Sequence, residues 1–369
     1  MTVELDAIPP EALTAEKRRT AEELVPGQFH RFFSLGRGAL SWLIRAYNLT
    51  AGDEVLLPSY GCFSIVDPFT EAGLRPVFYR VDEGLRVDLA DIARRRTPAT
   101  KMILIVHYFG FPQPDEVMKF LAAEDSLITI EDCTHGPFST WQGRTVGHFG
   151  QVAFTSFRKC IPVPDGAALA FKEPPPSDPP LEPSVAYGIH ARCRYWVMRS
   201  GGRRRARARE RRASAALRTW MMQKIRRARD GAVRQAPMTA VSRHLLERVP
   251  VEAGLERRRL NYELAAELCA SLQGIKLLFP DLPAGVSPML VPVRIKGGRR
   301  DEVRRALKAA GILAPVHWPP LPEIGSAFPE THRLAAEILS LPCDERYIET
   351  DMKRLGAVVE GVLGSRLPA

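Results

Sequence analysis

Short β-rich runs alternate with helical stretches through the first half of the chain, and this alternation constrains the fold more than any other feature. The pattern predicts a helix over Gly38–Tyr47 and then a series of strands at Glu54–Leu57, Pro76–Tyr79, Met102–Val106, Leu127–Ile130 and Val152–Phe154. Most of the intervening stretches are long enough for a crossover helix. The expected fold class is therefore α/β, with a mainly parallel sheet flanked by helices. Ligands of such sheets bind beyond the carboxyl ends of the strands.

The rest of the sequence follows a different pattern. A proline-rich stretch, Pro174–Pro180, ends the first run, and an arginine-rich segment follows it. Later residues predict a small α+β unit with a C-terminal helix, built on the segments Glu256–Leu268, Met289–Arg294, Asp301–Ala310 and Ile312–Val316. We therefore predict a large α/β domain over residues 1–180, a basic helical insertion over 181–238 and a small C-terminal α+β domain over 239–369.

The formal charge of +10 is concentrated in the insertion. Residues 192–234 hold fifteen Arg and one Lys against two acids, so this stretch carries +14 and the remainder of the chain −4. An arginine-rich helix with one apolar face is typical of an interfacial helix, and residues 203–229 are therefore a candidate for peripheral contact with an anionic membrane. A solvated insertion that covers a neighbouring subunit is the alternative. Nucleic acid is disfavoured because few aromatic residues and no binding motif accompany the charge.

Composition excludes several other classes of protein. The contents of 45% hydrophobic and 25% charged residues are those of a soluble globular protein, and no apolar run reaches the roughly 18 residues of a membrane span. The N-terminus lacks the apolar core of a secretory signal. The six cysteines are scattered without metal-ligand spacing, so no metal is expected and a reducing cytoplasm is the predicted setting, extending to the inner membrane surface if residues 203–229 bind lipid.

Four features lie at predicted strand or helix ends, where this fold class builds its sites. Gly36-Arg37-Gly38 precedes a helix, whose free N–H groups can hold a phosphate, although such glycines are commonly turn residues. Asp132 follows a buried strand and is either functional or a helix N-cap. Lys159 stands among apolar residues that lower the pKa of an amine, with a surface lysine as the alternative. His107 follows Met102–Val106 and is either functional or structural.

Together these features are what a pyridoxal phosphate enzyme requires. In such an enzyme Lys159 would form the Schiff base that is exchanged for the substrate amine. Asp132 would pair with the pyridine nitrogen and keep it protonated. The glycine turn at Gly36–Gly38 would anchor the phosphate.

The sequence also resembles one family, the DegT/StrS (DegT/DnrJ) sugar aminotransferases, a branch of the fold type I, aspartate aminotransferase-like superfamily. The similarity is collinear over nearly the whole chain outside the basic segment. The segments that resemble family motifs are Gly36–Leu40 (SGRxAL), Gly52–Ser59 (GDEVIVPS), Ala72–Phe78 (GAxPVFVD), His107–Pro112 (HLYGxP), Ile130–His135 (IEDAAQ), Gly143–Gly147 (GxxxG), Ser156–Lys159 (SFxxxK), Gly311–His317 (GIGTxVHY) and Leu339–Pro342 (LSLP).

The resemblance implies roles for individual residues. Lys159 would carry the cofactor and later move the proton between Cα and C4′. Ser156, with the backbone of Arg37 and Gly38, would bind the phosphate. Further cofactor contacts are implied for either Tyr60 or Phe63, one of which would stack on the ring, for His107, and for His135, which stands where the family has a glutamine that contacts the phenolic oxygen.

Two departures from the family pattern affect what is expected. Lys159 lies two residues after Phe157, where the common motif has four, so the loop before the lysine is shortened. The family's GYNYR segment, which reaches the partner subunit's site, is not recognisable; Ala240–His244 stands nearby. The family pattern therefore does not predict the substrate pocket or the contacts between subunits of this chain.

The resulting hypothesis is a homodimeric, cytoplasmic, pyridoxal phosphate-dependent aminotransferase. It would transfer an amino group, with glutamate as the expected donor, to a keto sugar that is expected to be nucleotide-linked. Three alternatives remain: a non-sugar keto substrate, a sugar dehydratase, which the presence of Lys159 opposes, and a catalytically silent scaffold at a membrane.

Overall fold

The computed structural model describes residues 15–183, 188, 191–192 and 235–364. The arginine-rich segment 203–229 lies outside these residues, as does most of the predicted insertion 181–238.

A seven-stranded sheet forms the centre of the first half of the described chain, with the order β1-β9-β8-β5-β4-β2-β3. The strands up to residue 171 are β1 (Phe29–Phe33), β2 (Glu54–Pro58), β3 (Arg75–Tyr79), β4 (Thr100–Val106), β5 (Ile128–Asp132), β6 (Thr140–Trp141), β7 (Arg144–Thr145), β8 (Val152–Thr155) and β9 (Ala167–Phe171). Strands β3, β2, β4, β5 and β8 run parallel, while β9 is antiparallel to both β8 and β1. The short pair β6–β7 is a separate hairpin.

The parallel strands are buried because helices cover the sheet. Every residue of β2, β8 and β9 is buried, as expected for a sheet packed on both faces. The helices of this half are α1 (Gly36–Ala46), α2 (Asp67–Glu71), α3 (Leu89–Arg95) and α4 (Asp115–Ala123). Because β9 is antiparallel to both β8 and β1, strand β1 runs in the same direction as the five parallel strands. All six of these strands end at the same edge of the sheet.

The structure confirms the predicted fold class and the five predicted strands, and it adds two strands, β1 and β9, to the large sheet. The edge strand β1 has the sequence FHRFF, whose polar residues are partly exposed. The second addition, β9, has the sequence AALAF, and alanine is depleted in strands. Neither segment carries a strong strand signal of its own, and each is fixed by pairing with a distant part of the chain.

A second, antiparallel sheet organises the later residues, with the order β10-β11-β12. Its strands are β10 (Ile275–Leu277), β11 (Val291–Ile295) and β12 (Ile338–Leu341). The helices described after residue 235 are α5 (Ala240–Leu246), α6 (Val251–Ala270), α7 (Arg300–Ala309), α8 (Pro329–Glu337) and α9 (Glu349–Leu363). The long helix α6 packs against α9 beside this sheet, so the predicted C-terminal helix is present. No helix among the described residues combines the length and the apolar character needed to cross a membrane.

The segment Ile312–Val316, which the sequence assigns to the small α+β unit, forms no strand. The Pro315 carbonyl accepts a hydrogen bond from the amide of Ser340 in β12 at 3.0 Å. The strand beside β11 is instead β12. The predicted domain bounds remain a prediction. The amide of Ser34 donates to the carbonyl of Ala236, and the amide of Met238 donates to the carbonyl of Phe32. Residues 236–238 therefore lie along the edge strand β1.

Candidate active site

Lys159 and Asp132 lie at the carboxyl edge of the large sheet. Asp132 is the buried last residue of β5, and Lys159 ends a short 3₁₀ turn, Phe157–Lys159, that follows β8. Because β5 and β8 are parallel neighbours, their ends bring the two side chains together. Thr134 joins them: its hydroxyl accepts a hydrogen bond from Lys159 Nζ at 2.8 Å, and its amide donates to Asp132 Oδ1 at 2.9 Å. Sequence reasoning missed Thr134, since its role depends on this juxtaposition.

The surroundings of Lys159 alter its acidity. Burial lowers the pKa of the Lys159 amine below its ordinary value, and the nearby Asp132 carboxylate opposes that shift. The side chain is partly buried, which does not match the alternative of a surface lysine. A larger fraction of neutral amine at neutral pH makes Lys159 a better nucleophile than an ordinary lysine.

The start of α1 offers unpaired backbone donors at the same edge. The amides of Gly36 and Gly38 have no acceptor among the described residues, and the N-cap residue Leu35 provides no side-chain cap. A Cβ at Gly36 would lie 2.8 Å from Cζ of Phe154, so a larger residue would disturb this turn. The predicted phosphate ligand Ser156 is buried and directly follows β8. The side chain of Arg37 pairs with Asp67 at 3.3 Å.

His135 is held as a neutral hydrogen-bond donor. Its Nδ1 accepts a hydrogen bond from the amide of Phe109 at 3.1 Å, which places the proton of the neutral ring on Nε2. Burial, followed by the charge of Lys159, holds the pKa of His135 well below its usual value. The Nε2–H group has no acceptor among the described residues. It is therefore available to a ligand.

Aromatic rings cover His135 on the side of the second sheet. Trp318 stacks on the His135 ring with centroids 5.3 Å apart and also contacts Tyr60 edge-on at 5.6 Å. Tyr60 is buried and its hydroxyl donates to the carbonyl of His317, whereas 56% of Phe63 is exposed. The structure therefore separates the two candidate stacking residues: Tyr60 belongs to the aromatic cluster and Phe63 faces solvent.

His107 differs from the other predicted site residues. Its Nδ1 accepts from the amide of Gln113 at 3.2 Å, and its Nε2 lies 3.0 Å from Glu131 Oε2. Both ring nitrogens are thus engaged within the protein, and the side chain is fully buried. This geometry favours the structural alternative for His107, and its contact with a cofactor stays a prediction.

Glu131 is the centre of the network that contains His107. Its carboxylate accepts hydrogen bonds from the amides of Gly147, Phe149 and Gly150 as well as from His107. Burial alone would raise the pKa of Glu131, but these hydrogen bonds, led by that from His107, lower it. Ligand atoms of His107, Glu131 and Cys133 lie within 4.8 Å of one another, but the Glu131 oxygens are already occupied by these donors. We therefore interpret the cluster as a structural network that fixes the turn before β8.

His317 is a second site residue that the sequence analysis did not select. It is fully buried, its Nδ1 lies 2.8 Å from the hydroxyl of Ser340, and its Nε2 has no hydrogen-bond partner. Burial, with a further contribution from the charge of Lys159, lowers the pKa of His317 to about 3. The signal in the sequence was present: His317 and Ser340 lie in the two late segments that resemble the VHY and LSLP motifs.

These residues form a set of hydrogen-bond donors and one acceptor that fits pyridoxal phosphate. Free amides at Gly36 and Gly38 suit a phosphate, Asp132 suits a protonated ring nitrogen, and the unpaired donor on His135 suits a phenolic oxygen. The unpartnered Nε2 of His317 is a buried polar atom that a bound group can satisfy. Fold and site therefore define an α/β protein with a desolvated lysine and a buried aspartate at the carboxyl edge of its parallel sheet.

Comparison with protein families agrees with this description. Residues 33–223 match the model of the DegT/DnrJ/EryC1/StrS aminotransferase family, more than half of the chain. The chain therefore belongs to this family, and the resemblance noted in its motifs is confirmed.

Individual relatives are similar over parts of their length. The dTDP-4-dehydro-2,3,6-trideoxy-D-glucose 4-aminotransferase of Saccharopolyspora spinosa is 34% identical over 146 residues, 39% of this chain and 38% of the relative. The GDP-perosamine synthase of Vibrio cholerae is 33% identical over 125 residues, 34% of each protein. These matches span little more than a third of the curated relatives. A longer match, 25% identical over 89% of this chain and 82% of the relative, is to UDP-N-acetyl-3-dehydro-alpha-D-glucosamine 3-aminotransferase of Acidithiobacillus ferrooxidans.

A solved structure supports the fold. Helicobacter pylori PseC, described as an aminotransferase involved in the biosynthesis of pseudoaminic acid, superposes with a TM-score of 0.71 at 16% identity, covering 97% of this chain and 98% of that one.

Proposed function

We propose that this protein is a pyridoxal phosphate-dependent aminotransferase acting on a keto sugar. The observation that carries the proposal is the pairing of Lys159 and Asp132 through Thr134 at the carboxyl edge of the sheet, with the Lys159 amine desolvated. Family membership supports it, because the names of the matched relatives are those of sugar aminotransferases and sugar synthases.

The protein's own groups have separate tasks in holding the cofactor. The amides at Gly36 and Gly38, with Ser156, would bind the phosphate at the positive end of α1. Asp132 would accept a hydrogen bond from the ring nitrogen and keep it protonated. His135 would donate its Nε2–H to the phenolic oxygen, and Tyr60 is the better placed of the two proposed stacking residues because it lies in the cluster around His135.

Proton transfer falls to Lys159. When bound, pyridoxal phosphate supplies an electron sink for cleavage of the Cα–H bond of the amino donor. Lys159 Nζ, once displaced by the donor amine, would take the proton from Cα and return it at C4′. Its lowered pKa helps, since a general base acts best when its pKa lies near the working pH. Thr134 Oγ1, 2.8 Å away, provides the hydrogen bond that retains the freed amine at the site.

The test is covalent capture of the cofactor. Protein incubated with pyridoxal phosphate should acquire a visible absorption band that borohydride abolishes, with Lys159 as the modified residue in mass spectrometry. Lys159→Ala should lose both the band and transamination. Lys172→Ala is the matched control, because the pKa of Lys172 is also lowered by burial but its Nζ donates to the Phe149 carbonyl at 2.7 Å. Cofactor capture that persists in Lys159→Ala, or no band in wild type, would refute the proposal.

We also propose particular substrates for this reaction. A nucleotide-linked keto sugar as acceptor and glutamate as donor are supported by the family motifs and by the names of the relatives. A screen of keto sugars against amino donors decides between this and a non-sugar keto substrate. A sugar dehydratase would convert the acceptor without consuming an amino donor, and a silent scaffold would bind no cofactor.

Two further proposals concern assembly and location. We propose a homodimer, by analogy with the family, and sedimentation at the mass of a single chain would overturn it. We also propose cytoplasmic location with peripheral contact between residues 203–229 and an anionic membrane surface. This second proposal rests on the charge of that segment, which lies outside the described residues.

A further inference from the structure

Arg258 is a buried arginine in the middle of α6 that reaches toward the turn carrying Lys159. Only 5% of it is exposed. Its Nη2 donates to the carbonyl oxygen of Cys160 at 3.1 Å and lies 2.7 Å from Glu345 Oε2, while Nη1 donates to the carbonyl of Met289 at 3.4 Å. One guanidinium therefore contacts three segments that are far apart in the sequence.

Burying this charge carries a cost that the surrounding groups offset. Burial alone would lower the pKa of Arg258, but neighbouring groups, Glu345 first among them, more than compensate and the pKa rises above its ordinary value. The side chain therefore stays charged. A charged donor to a carbonyl oxygen forms a stronger hydrogen bond than a neutral one.

The position of the acceptor gives Arg258 its importance. Cys160 directly follows Lys159, and its carbonyl has Arg258 as its hydrogen-bond donor among the described residues. The turn itself is short: the amides of Cys160 and Ile161 both donate to the Phe157 carbonyl, at 2.9 and 2.7 Å. Such a turn has few internal hydrogen bonds, so an external anchor at its end constrains it strongly.

Arg258 also links this turn to the aromatic side of the site. The Met289 carbonyl accepts from Arg258, and the Met289 amide donates to the carbonyl of Phe109 at 2.8 Å. Phe109 in turn is the residue whose amide fixes the tautomer of His135. One side chain of α6 is thus connected to both Lys159 and His135.

We propose that Arg258 is a positioning residue, which anchors the Cys160 carbonyl and thereby holds the Phe157–Lys159 turn so that Lys159 Nζ donates to Thr134 Oγ1. The role of Lys159 rests on the proposed function, but the anchoring of its turn does not. The two can therefore fail separately.

Hydrogen exchange in the full-length chain without added cofactor tests the anchor directly. In Arg258→Gln the amides of Cys160 and Ile161 should exchange about tenfold or more faster than in wild type, because the end of the turn loses its charged donor. The matched control is Asn261→Ala. Asn261 is buried one turn further along α6 and donates to the carbonyls of Cys343, Asp344 and Tyr347, but it does not contact the Lys159 turn.

The pH dependence of Lys159 labelling provides a second readout that a general loss of stability would not produce. With an amine-specific reagent, the labelling midpoint of Lys159 should move toward that of the exposed Lys353 in Arg258→Gln. It should stay at the wild-type value in Asn261→Ala. Arg258→Lys should restore part of the protection of the turn, since an ammonium keeps one charged donor.

Two results would overturn the proposal: unchanged exchange at Cys160 and Ile161 in Arg258→Gln, or equal acceleration in Asn261→Ala. If Arg258→Gln fails to fold because Glu345 loses its counter-charge, Arg258→Gln combined with Glu345→Gln removes both charges and is measured instead. If wild type acquires no cofactor band, the proposed function is refuted, but the hydrogen-exchange test of Arg258 is unaffected.

Discussion

His317 illustrates how the interior fixes the charge of one side chain. The ring is fully buried, with one nitrogen beside Ser340 and the other unpartnered, and burial lowers its pKa to about 3. An unfolded chain would give the same histidine a pKa of about 6.5. At pH values between about 3 and about 6.5, the unfolded chain therefore binds a proton at His317 that the folded protein does not bind.

The stability of the fold should therefore depend on pH through His317. The folded-state pKa is depressed, so the contribution is fully present above about pH 6.5 and is lost as the pH falls toward 3. From pH 7 to 5.5 this residue alone should remove about 1 kcal/mol from the free energy of unfolding of wild type but not of His317→Gln. Urea unfolding at the two pH values measures the difference.

The control for this measurement is His332→Gln, which removes an exposed histidine of α8 instead of a buried one. Equal losses of stability in wild type and His317→Gln would contradict the argument.

The turns beside the candidate site fit together through small residues. Gly136 follows the turn after β5 and lies against Gly110, which ends the 3₁₀ turn after β4. A Cβ on Gly136 would be 2.5 Å from the Gly110 Cα and 2.7 Å from Ser139 Oγ. Because one obstacle is backbone, it cannot move aside as a flexible side chain would. Close packing of these two turns therefore requires glycine at position 136.

Substitution of Gly136 by alanine should accordingly destabilise the protein. We expect a loss of about 1–3 kcal/mol, the usual range for overpacking, and displacement of the turn that bears His135. Gly361→Ala in α9 is the matched control: nothing lies within 4 Å of its added Cβ, and alanine favours a helix over glycine by roughly 0.5–1 kcal/mol. Denaturant unfolding compares the two. A Gly136→Ala protein as stable as Gly361→Ala would show that the turns are not in contact.

Local sequence signals predict part of the fold and of the candidate site, but they do not predict contacts between distant segments. The buried parallel strands and the residues at their ends were predictable, since continuous apolar runs and the motifs around Asp132 and Lys159 are local signals. The roles of Thr134, Trp318 and Arg258 were not, because each depends on contact between segments distant in the sequence. The hydrogen bond between His107 and Glu131 could not be predicted for the same reason, since Glu131 belongs to the neighbouring strand.

At the scale of the whole molecule, ion pairs join the two sheets. Glu83, after β3, pairs with Arg294 of β11 at 2.6 Å and with Arg333 of α8. Arg80 pairs with Glu330 of α8 at 3.3 Å. Arg294 also pairs with Glu337 at 2.7 Å, so the three arginines are matched by three glutamates. None of these residues belongs to the stretch 192–234, which carries +14.

That separation leads to a prediction about location. The full chain should co-sediment with vesicles of anionic lipid, and the bound fraction should fall as salt is raised, because screening weakens the attraction of the arginines. Deletion of residues 203–229 should abolish binding without affecting cofactor capture by Lys159. Neutral vesicles serve as the control. Binding that is absent, or that does not change with salt, would exclude the membrane contact.

The distribution of the site along the chain has a consequence for biosynthesis. Lys159 and Asp132 lie at the edge of the first sheet, whereas Ser340 lies in the second sheet and holds His317. At typical translation rates of about 5–20 residues per second, roughly 10–40 s separate the synthesis of Lys159 from that of Ser340. During that interval the nascent chain carries its reactive amine without the groups that enclose it. The site is therefore complete only after the segments that carry His317 and Ser340 have been synthesised.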